Sequence, residues 1–216
     1  MNETPLRYRD AHGGLASTLV NDGKTLRVVL EGVPFEGQDF DGLEPVLRAG
    51  AALPPRFTLA SGSLAACSLD VALPITVGTS SGGFAATLEA HLALGAPAAR
   101  GGIDGEALRL ALEVEGERLT SAGKSGWFED ELVDLQRQLP EGAFLKTCFG
   151  CGLSDYSPYG HGLFGGLACF RTDKPAYRAV SSKDDLFRVL ATGELVQETH
   201  LCPEFERRLP GTGYRG

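Results

Sequence analysis

The sequence predicts an α+β, β-rich fold: an antiparallel β-sandwich-like body over residues 1–120, and a cysteine-bearing α+β portion over residues 121–216 packed on it as one unit. Three observations carry this. Apolar and polar residues alternate at a period of two through much of the first half, as in strands with one buried face. Turns containing Gly and Pro separate these runs, the punctuation of packed antiparallel sheets. A helical period emerges only beyond residue 120. A chain of 216 residues is long enough to bury a substantial core in this way.

Each element has its own signal. Asn21-Asp22-Gly23 lies between two apolar runs and suits a hairpin turn, because these residues tolerate positive φ. After it, Leu26, Val28 and Leu30 alternate with Arg27, Val29 and Glu31. Cys67, Leu69, Val71 and Leu73 share one face of the next strand. Phe84, Ala86, Leu88, Ala90, Leu92 and Leu94 share a face opposite Glu89 and His91. Leu108, Leu110, Leu112 and Val114 repeat the pattern against Arg109, Glu113 and Glu115, and the Gly-rich stretch 95–107 between these two strands reads as a loop. In the second half, Phe128, Leu132, Leu135 and Leu139 recur at helical spacing. Ser125 is placed to cap that helix, acidic residues 129–131 suit the positive end of its dipole, and Pro140 with Gly142 ends it. Ser182 and Asp185 form a capping-box variant for a second helix that stops at Gly193.

Charge and composition exclude some functions. A net charge of −8 argues against a general nucleic-acid surface, which needs clustered Lys and Arg. The basic pair Arg207–Arg208 follows Glu204 and Glu206 and reads as a self-paired, solvated face. The N-terminal residues lack the apolar stretch of a secretory signal, and no apolar run reaches membrane-spanning length. The expectation is a cytoplasmic protein without nucleic-acid or membrane partners, in a compartment where thiols stay reduced.

Five cysteines, an odd number, do not make a complete disulfide framework. Cys148 and Cys151 form a C-x-x-C pair in which Phe149-Gly150 supplies the bend and Gly152 lets the backbone fold tightly behind it. Together with Cys169 and Cys202 they would close a tetrahedral site, the usual form of structural zinc. His200 or His161 is the alternative fourth ligand. The competing reading is four buried, unliganded thiols, since free Cys is among the most buried residue types. A redox pair is the weaker choice, because no helix follows Cys148 to lower its pKa. Cys67, on the apolar side of a strand, reads as core.

The segment after the C-x-x-C pair, "SDYSPYGHG", concentrates turn residues and rings. Read functionally, Asp155, Tyr156, Tyr159 and His161 form a binding loop, and Asp155 or His161 is a candidate general base. Read structurally, the tyrosines pack on the sheet and Asp155 satisfies backbone N–H groups. No nucleophile elbow surrounds Ser154. The C-terminal "GTGYRG" lacks the strand–turn–helix context of a phosphate loop.

The strings "NDGKTLRVVLEGVPFEGQDFDGLEP", "CFGCGLSDYSPYGHGLFGGLACFR", "SKDDLF" and "VQETHLCPEFERRLPGTGYRG" resemble an uncharacterised bacterial family, a domain of unknown function of about this length. The resemblance is strongest from Phe144 onward and weakest over residues 51–123. It implies no activity. Function must come from the site. Two expectations stand. One is a protein-binding role, immunity-like, antitoxin-like or as an adaptor, with a basic protein partner facing the acidic stretches "FEDELVD" and "DFDGLEP" and with structural zinc in the second half. The other is a zinc-dependent hydrolase, which needs an open coordination position beside Asp155 or His161.

Overall fold

The computed structural model describes residues 1–157, 163–211 and 213–214. Among them, ten strands form one antiparallel sheet. The chain first builds outward through β1 (Asn2–Asp10), β2 (Gly13–Asn21), β3 (Leu26–Leu30), β4 (Val33–Gly37) and β5 (Glu44–Pro45). A small hairpin of β6 (Thr58–Ala60) and β7 (Ser63–Ala65) then returns it to the other side of β1. From there β8 (Cys67–Thr79), β9 (Gly82–Leu94), β10 (Glu106–Val114) and β11 (Glu117–Thr120) extend the sheet in the opposite direction. Helix α1 (Phe128–Gln138) follows, and β12 (Phe144–Leu145) adds to β8. The remainder holds β13 (Ser154–Tyr156), β14 (Leu167–Cys169), α2 (Lys174–Arg178), α3 (Lys183–Val189) and β15 (Glu194–Val196), the three strands making a sheet of their own.

The predicted alternation is what assembles the body. Register aligns Tyr8 with Leu69, Leu69 with Leu92 and Leu92 with Leu108, so one row of inward side chains crosses four strands. The opposite parity gives the outer row Arg7, Asp70, His91 and Arg109. There His91 Nδ1 and Arg9 both reach Asp70, at 2.6 and 3.4 Å. The hairpin at Asn21-Asp22-Gly23 forms as expected: Gly23 has φ 95°, and Asp22 Oδ1 accepts the N–H groups of Lys24 and Thr25.

The sandwich-like body takes the form of one sheet whose apolar face is covered from its two ends. Phe164 sits 5.1 Å from Phe40, in the loop after β4, and 5.1 Å from Phe128 of α1, which packs on β10. The charge of Asp41, in the same loop as Phe40, also acts on the carboxyl of Glu106 at the start of β10. Alternation alone does not distinguish this arrangement from two facing sheets. One core results, shared by strands of the first portion and by Phe128, Leu145, Cys148 and Leu167 of the second. Cys67 belongs to it. A smaller core gathers Cys151, Leu153, Phe170, Tyr177 and Leu186.

Strand β1 is absent from the sequence expectations. Its inward set is only Thr4, Leu6 and Tyr8, and Pro5 within it argues against a central strand. The capping of α1 also differs from expectation. Ser125 lies two residues before the N-cap position, Trp127, and accepts that residue's N–H. Buried Glu131 instead accepts the N–H groups of Gly123, Lys124 and Ser125. Ser182 caps α3 as expected, accepting the N–H of Asp185. No helix among the described residues is long and apolar enough to cross a membrane.

Candidate functional site

The fold brings Cys148, Cys151, Cys169 and Cys202 into one buried neighbourhood. Cys148 opens a 3-10 turn, Cys148–Gly150, directly after β12. Two other segments clamp that turn. The N–H groups of Cys148 and Phe149 donate to the carbonyls of His200 and Glu198, at 2.6 and 3.0 Å. On the other side, Gly152 donates to Glu206 at 2.7 Å, and Arg208 donates to Gly150 at 2.9 Å. Ser154 Oγ donates to the carbonyl of Cys148 at 2.6 Å. A Cβ on Gly150 would lie 2.1 Å from the carbonyl oxygen of Leu145, so the bend between the two cysteines admits only glycine.

Cys169 ends β14, where its register partners are Ser154 and Glu194. Arg171 lies close to both Cys169 and Cys202, and its charge and backbone lower the pKa of Cys169 against the effect of burial. Burial raises the pKa of Cys148, and Cys169, Cys151 and Cys202 raise it further. Burial likewise raises that of Cys169, with Cys151 and Cys202 contributing. The four sulfurs therefore sense one another electrostatically. As the side chains stand, no group of three or more His, Cys, Asp or Glu among the described residues could hold a metal ion. His200 is exposed, and partial desolvation together with the charge of Arg171 lowers its pKa. His161 lies outside the described residues.

Of the expected binding loop, the structure places Asp155 and Tyr156 in β13, 2% and 6% exposed. Asp155 Oδ2 accepts the Tyr177 O–H and the Tyr214 N–H, each at 3.1 Å. Tyr156 donates its O–H to Glu198 at 3.3 Å. Both residues thus hold other parts of the same chain, as in the structural reading of this segment. Tyr159 and His161 lie outside the described residues.

Three features escape the sequence reading. Glu198 is fully buried and accepts the N–H groups of Gly165 and Gly166 at 2.7 and 3.2 Å; burial raises its pKa. Tyr177 stacks on Phe170 with centroids 4.6 Å apart, and burial pushes its hydroxyl up to about 12. Arg208 is the third. Its guanidinium donates to the Ser154 carbonyl and to Tyr177 Oη, while Arg207 lies 4.2 Å over the Phe144 ring. The expected self-pairing of these arginines does not form, because Glu204 and Glu206 pair with Lys174 and Arg178 instead. Spacing gave no sign of the hydrogen bonds that tie Tyr156 to Glu198, Tyr177 to Asp155 and Arg208 to Ser154, since each joins residues more than twenty positions apart.

The acidic stretches are also occupied internally. Besides Glu131, Asp134 accepts the N–H of Ala122. Asp39 is pushed up to about 7 by burial and by its neighbour Asp41.

Fold and site together define a β-rich α+β protein with a cluster of four buried thiols at the junction of its two cores. The chain belongs to a family of unknown function, DUF6304, which it matches over residues 3–154. The match includes residues 51–123, where the resemblance read from sequence is weakest, and it ends at the first residue of "SDYSPYG". It therefore contains Cys148 and Cys151 but neither Cys169 nor Cys202. No curated protein and no solved structure matches the chain.

Proposed function

We infer that the protein is a non-enzymatic binding protein, acting as an immunity-like or antitoxin-like factor or an adaptor, whose second half is fixed by a structural zinc ion on Cys148, Cys151, Cys169 and Cys202. The observation that carries this reading is the convergence of four buried thiols from the C-x-x-C turn, β14 and the 197–208 segment. Chance burial of thiols does not require a turn that only glycine can make between two of them. The positive charge of Arg171 acts on both Cys169 and Cys202, and such a group beside the thiols favours their thiolate form. Capture of the ion requires the thiol side chains to rotate from their present positions. With four thiolates the site is closed and leaves no place for a metal-bound hydroxide. The net charge of −8 favours a basic protein partner.

Elemental analysis after chelator-free purification tests the metal. About one Zn²⁺ per chain is expected, lost together with thermal stability in Cys148→Ser. A metal-free chain of unchanged stability would establish the buried-thiol reading instead.

A further inference from the structure

The outer face of the large sheet is open to solvent where β1, β8, β9 and β10 run side by side, with Arg7, His91 and Arg109 exposed. Two rows of side chains cross it. The first is Arg7, Asp70, His91 and Arg109, which register sets opposite one another. The second, two residues along each strand, is Ala72, Glu89, Ala111 and Thr120. Alanines beside long charged side chains leave a trough of about 580 Å³, floored by Ala72 and Ala111 and walled by the first row. Ala111 is only 7% exposed although its parity turns it outward, since longer side chains rise around it.

The charges lining this trough are not all spent on one another. Asp70 is held by His91 at 2.6 Å and by Arg9 at 3.4 Å, and Glu89 by Arg118 at 2.5 Å. Arg7 and Arg109 form no ion pair among the described residues. The lining thus sets the guanidiniums of Arg7, Arg109 and Arg118 against the carboxylates of Asp70 and Glu89, a local excess of positive charge in a chain whose net charge is −8. Arg109 is also seated. The chain passes beside it at Gly123, where an added Cβ would lie 3.1 Å from the Arg109 Nε.

The lining selects the chemistry. Guanidiniums without a partner take carboxylates and phosphates, whose oxygens match their fork of N–H donors. A cation finds no such opening, because both carboxylates are already paired. Neighbouring strands lie about 4.8 Å apart, so Arg7 and Arg109 are about 14 Å apart at the backbone, and two arginine side chains leaning inward can hold one group between them. The alanine floor suits an apolar body, and the volume falls within the roughly 300–1,000 Å³ of small-molecule sites. We propose that the trough binds a small organic anion, its carboxylate or phosphate group on Arg7 and Arg109 and its apolar body on Ala72 and Ala111. The proposal depends neither on the zinc ion nor on the basic protein partner inferred above.

The test is an NMR titration of isotope-labelled full-length protein with phenyl phosphate and with benzoate. Saturable shifts are expected at the Nε–H groups of Arg7 and Arg109 and at the backbone amides of Ala72 and Ala111, and the tighter of the two probes identifies the head group. Affinity should fall about tenfold in Arg109→Gln and in Arg7→Gln, as loss of one charged hydrogen-bonding partner implies. Both arginines are exposed and outside any ion pair, so these variants keep the fold. Arg109→Lys, which keeps the charge without the fork, should retain part of the affinity. Inorganic phosphate, which has no apolar body, should bind several-fold more weakly than phenyl phosphate. Three results would overturn the proposal: no saturable shift at these positions up to millimolar probe, an equal response to benzylamine, or binding that survives replacement of both arginines together.

Discussion

Replacing Asp39 by Asn tests how the loop after β4 is held. Asp39 lies against Asp41, and its carboxyl packs against the backbone of Gly42. Burial first and the Asp41 charge second raise the pKa of Asp39 from 3.8 to about 7. The folded chain therefore binds more protons than the unfolded chain between these values. The stabilisation is fully present below about 3.8 and is lost as pH rises through about 7. At about 1.4 kcal/mol per pKa unit the ceiling is about 4 kcal/mol. Solvent at this partly exposed pair screens it to about 1–2 kcal/mol. An Asn side chain has nearly the shape of the protonated carboxyl and, like it, carries no charge to oppose that of Asp41. Urea denaturation at pH 4, 6 and 8 should show Asp39→Asn equal to wild type at pH 4 and about 1–2 kcal/mol more stable at pH 8. Parallel pH profiles for the two proteins would refute the reasoning.

Other positions give sharper structural tests. Glu198→Ala should cost about 3–5 kcal/mol, because it strands the N–H groups of Gly165 and Gly166, whereas Glu198→Gln keeps one acceptor and should cost about 1–2 kcal/mol; calorimetric melts that rank them equally would contradict this. Gly150→Ala drives a Cβ into the Leu145 carbonyl and should cost about 1–3 kcal/mol in the same assay, and a neutral result would mean that the turn is not tight. Tyr177→Phe removes the O–H that holds Asp155, for about 1–2 kcal/mol, and should speed proteolysis beyond Pro210 by loosening the attachment of Tyr214; an unchanged cleavage rate would argue against that attachment.

The strands of the body were legible because each carries a complete period-two face: Leu26–Leu30, Cys67–Leu73, Leu88–Leu94 and Leu108–Val114 are buried as their alternation implies. Phe84 is the exception, 38% exposed near the start of β9. The helix at Phe128 was legible from its period, but its cap was not. Glu131 reads as an exposed acidic residue until the fold turns residues 123–125 onto it. The C-x-x-C turn was visible in spacing and in Gly150, and the grouping of Cys169 and Cys202 with it followed from residue type alone. The burial of Asp155 was not visible. A polar string rich in turn residues looks like a loop, and only the pairing of Ser154–Tyr156 with Leu167–Cys169 makes it a strand. The parting of β1 and β8 beyond Leu6 and Val71 was hidden for a similar reason, since Pro5 and Pro74, which both lack an N–H on the side where these strands would meet, have meaning only once the neighbouring strand is known.

X-ray absorption at the zinc edge, on protein purified without chelator, tests the central claim most directly. The account expects about one zinc per chain with four sulfur neighbours at about 2.3 Å, and loss of that signal in Cys148→Ser. A chain without metal that keeps its full stability in strong chelator would contradict it. Three sulfurs with one oxygen would also contradict it, by opening the site to a metal-bound water and hence to hydrolysis.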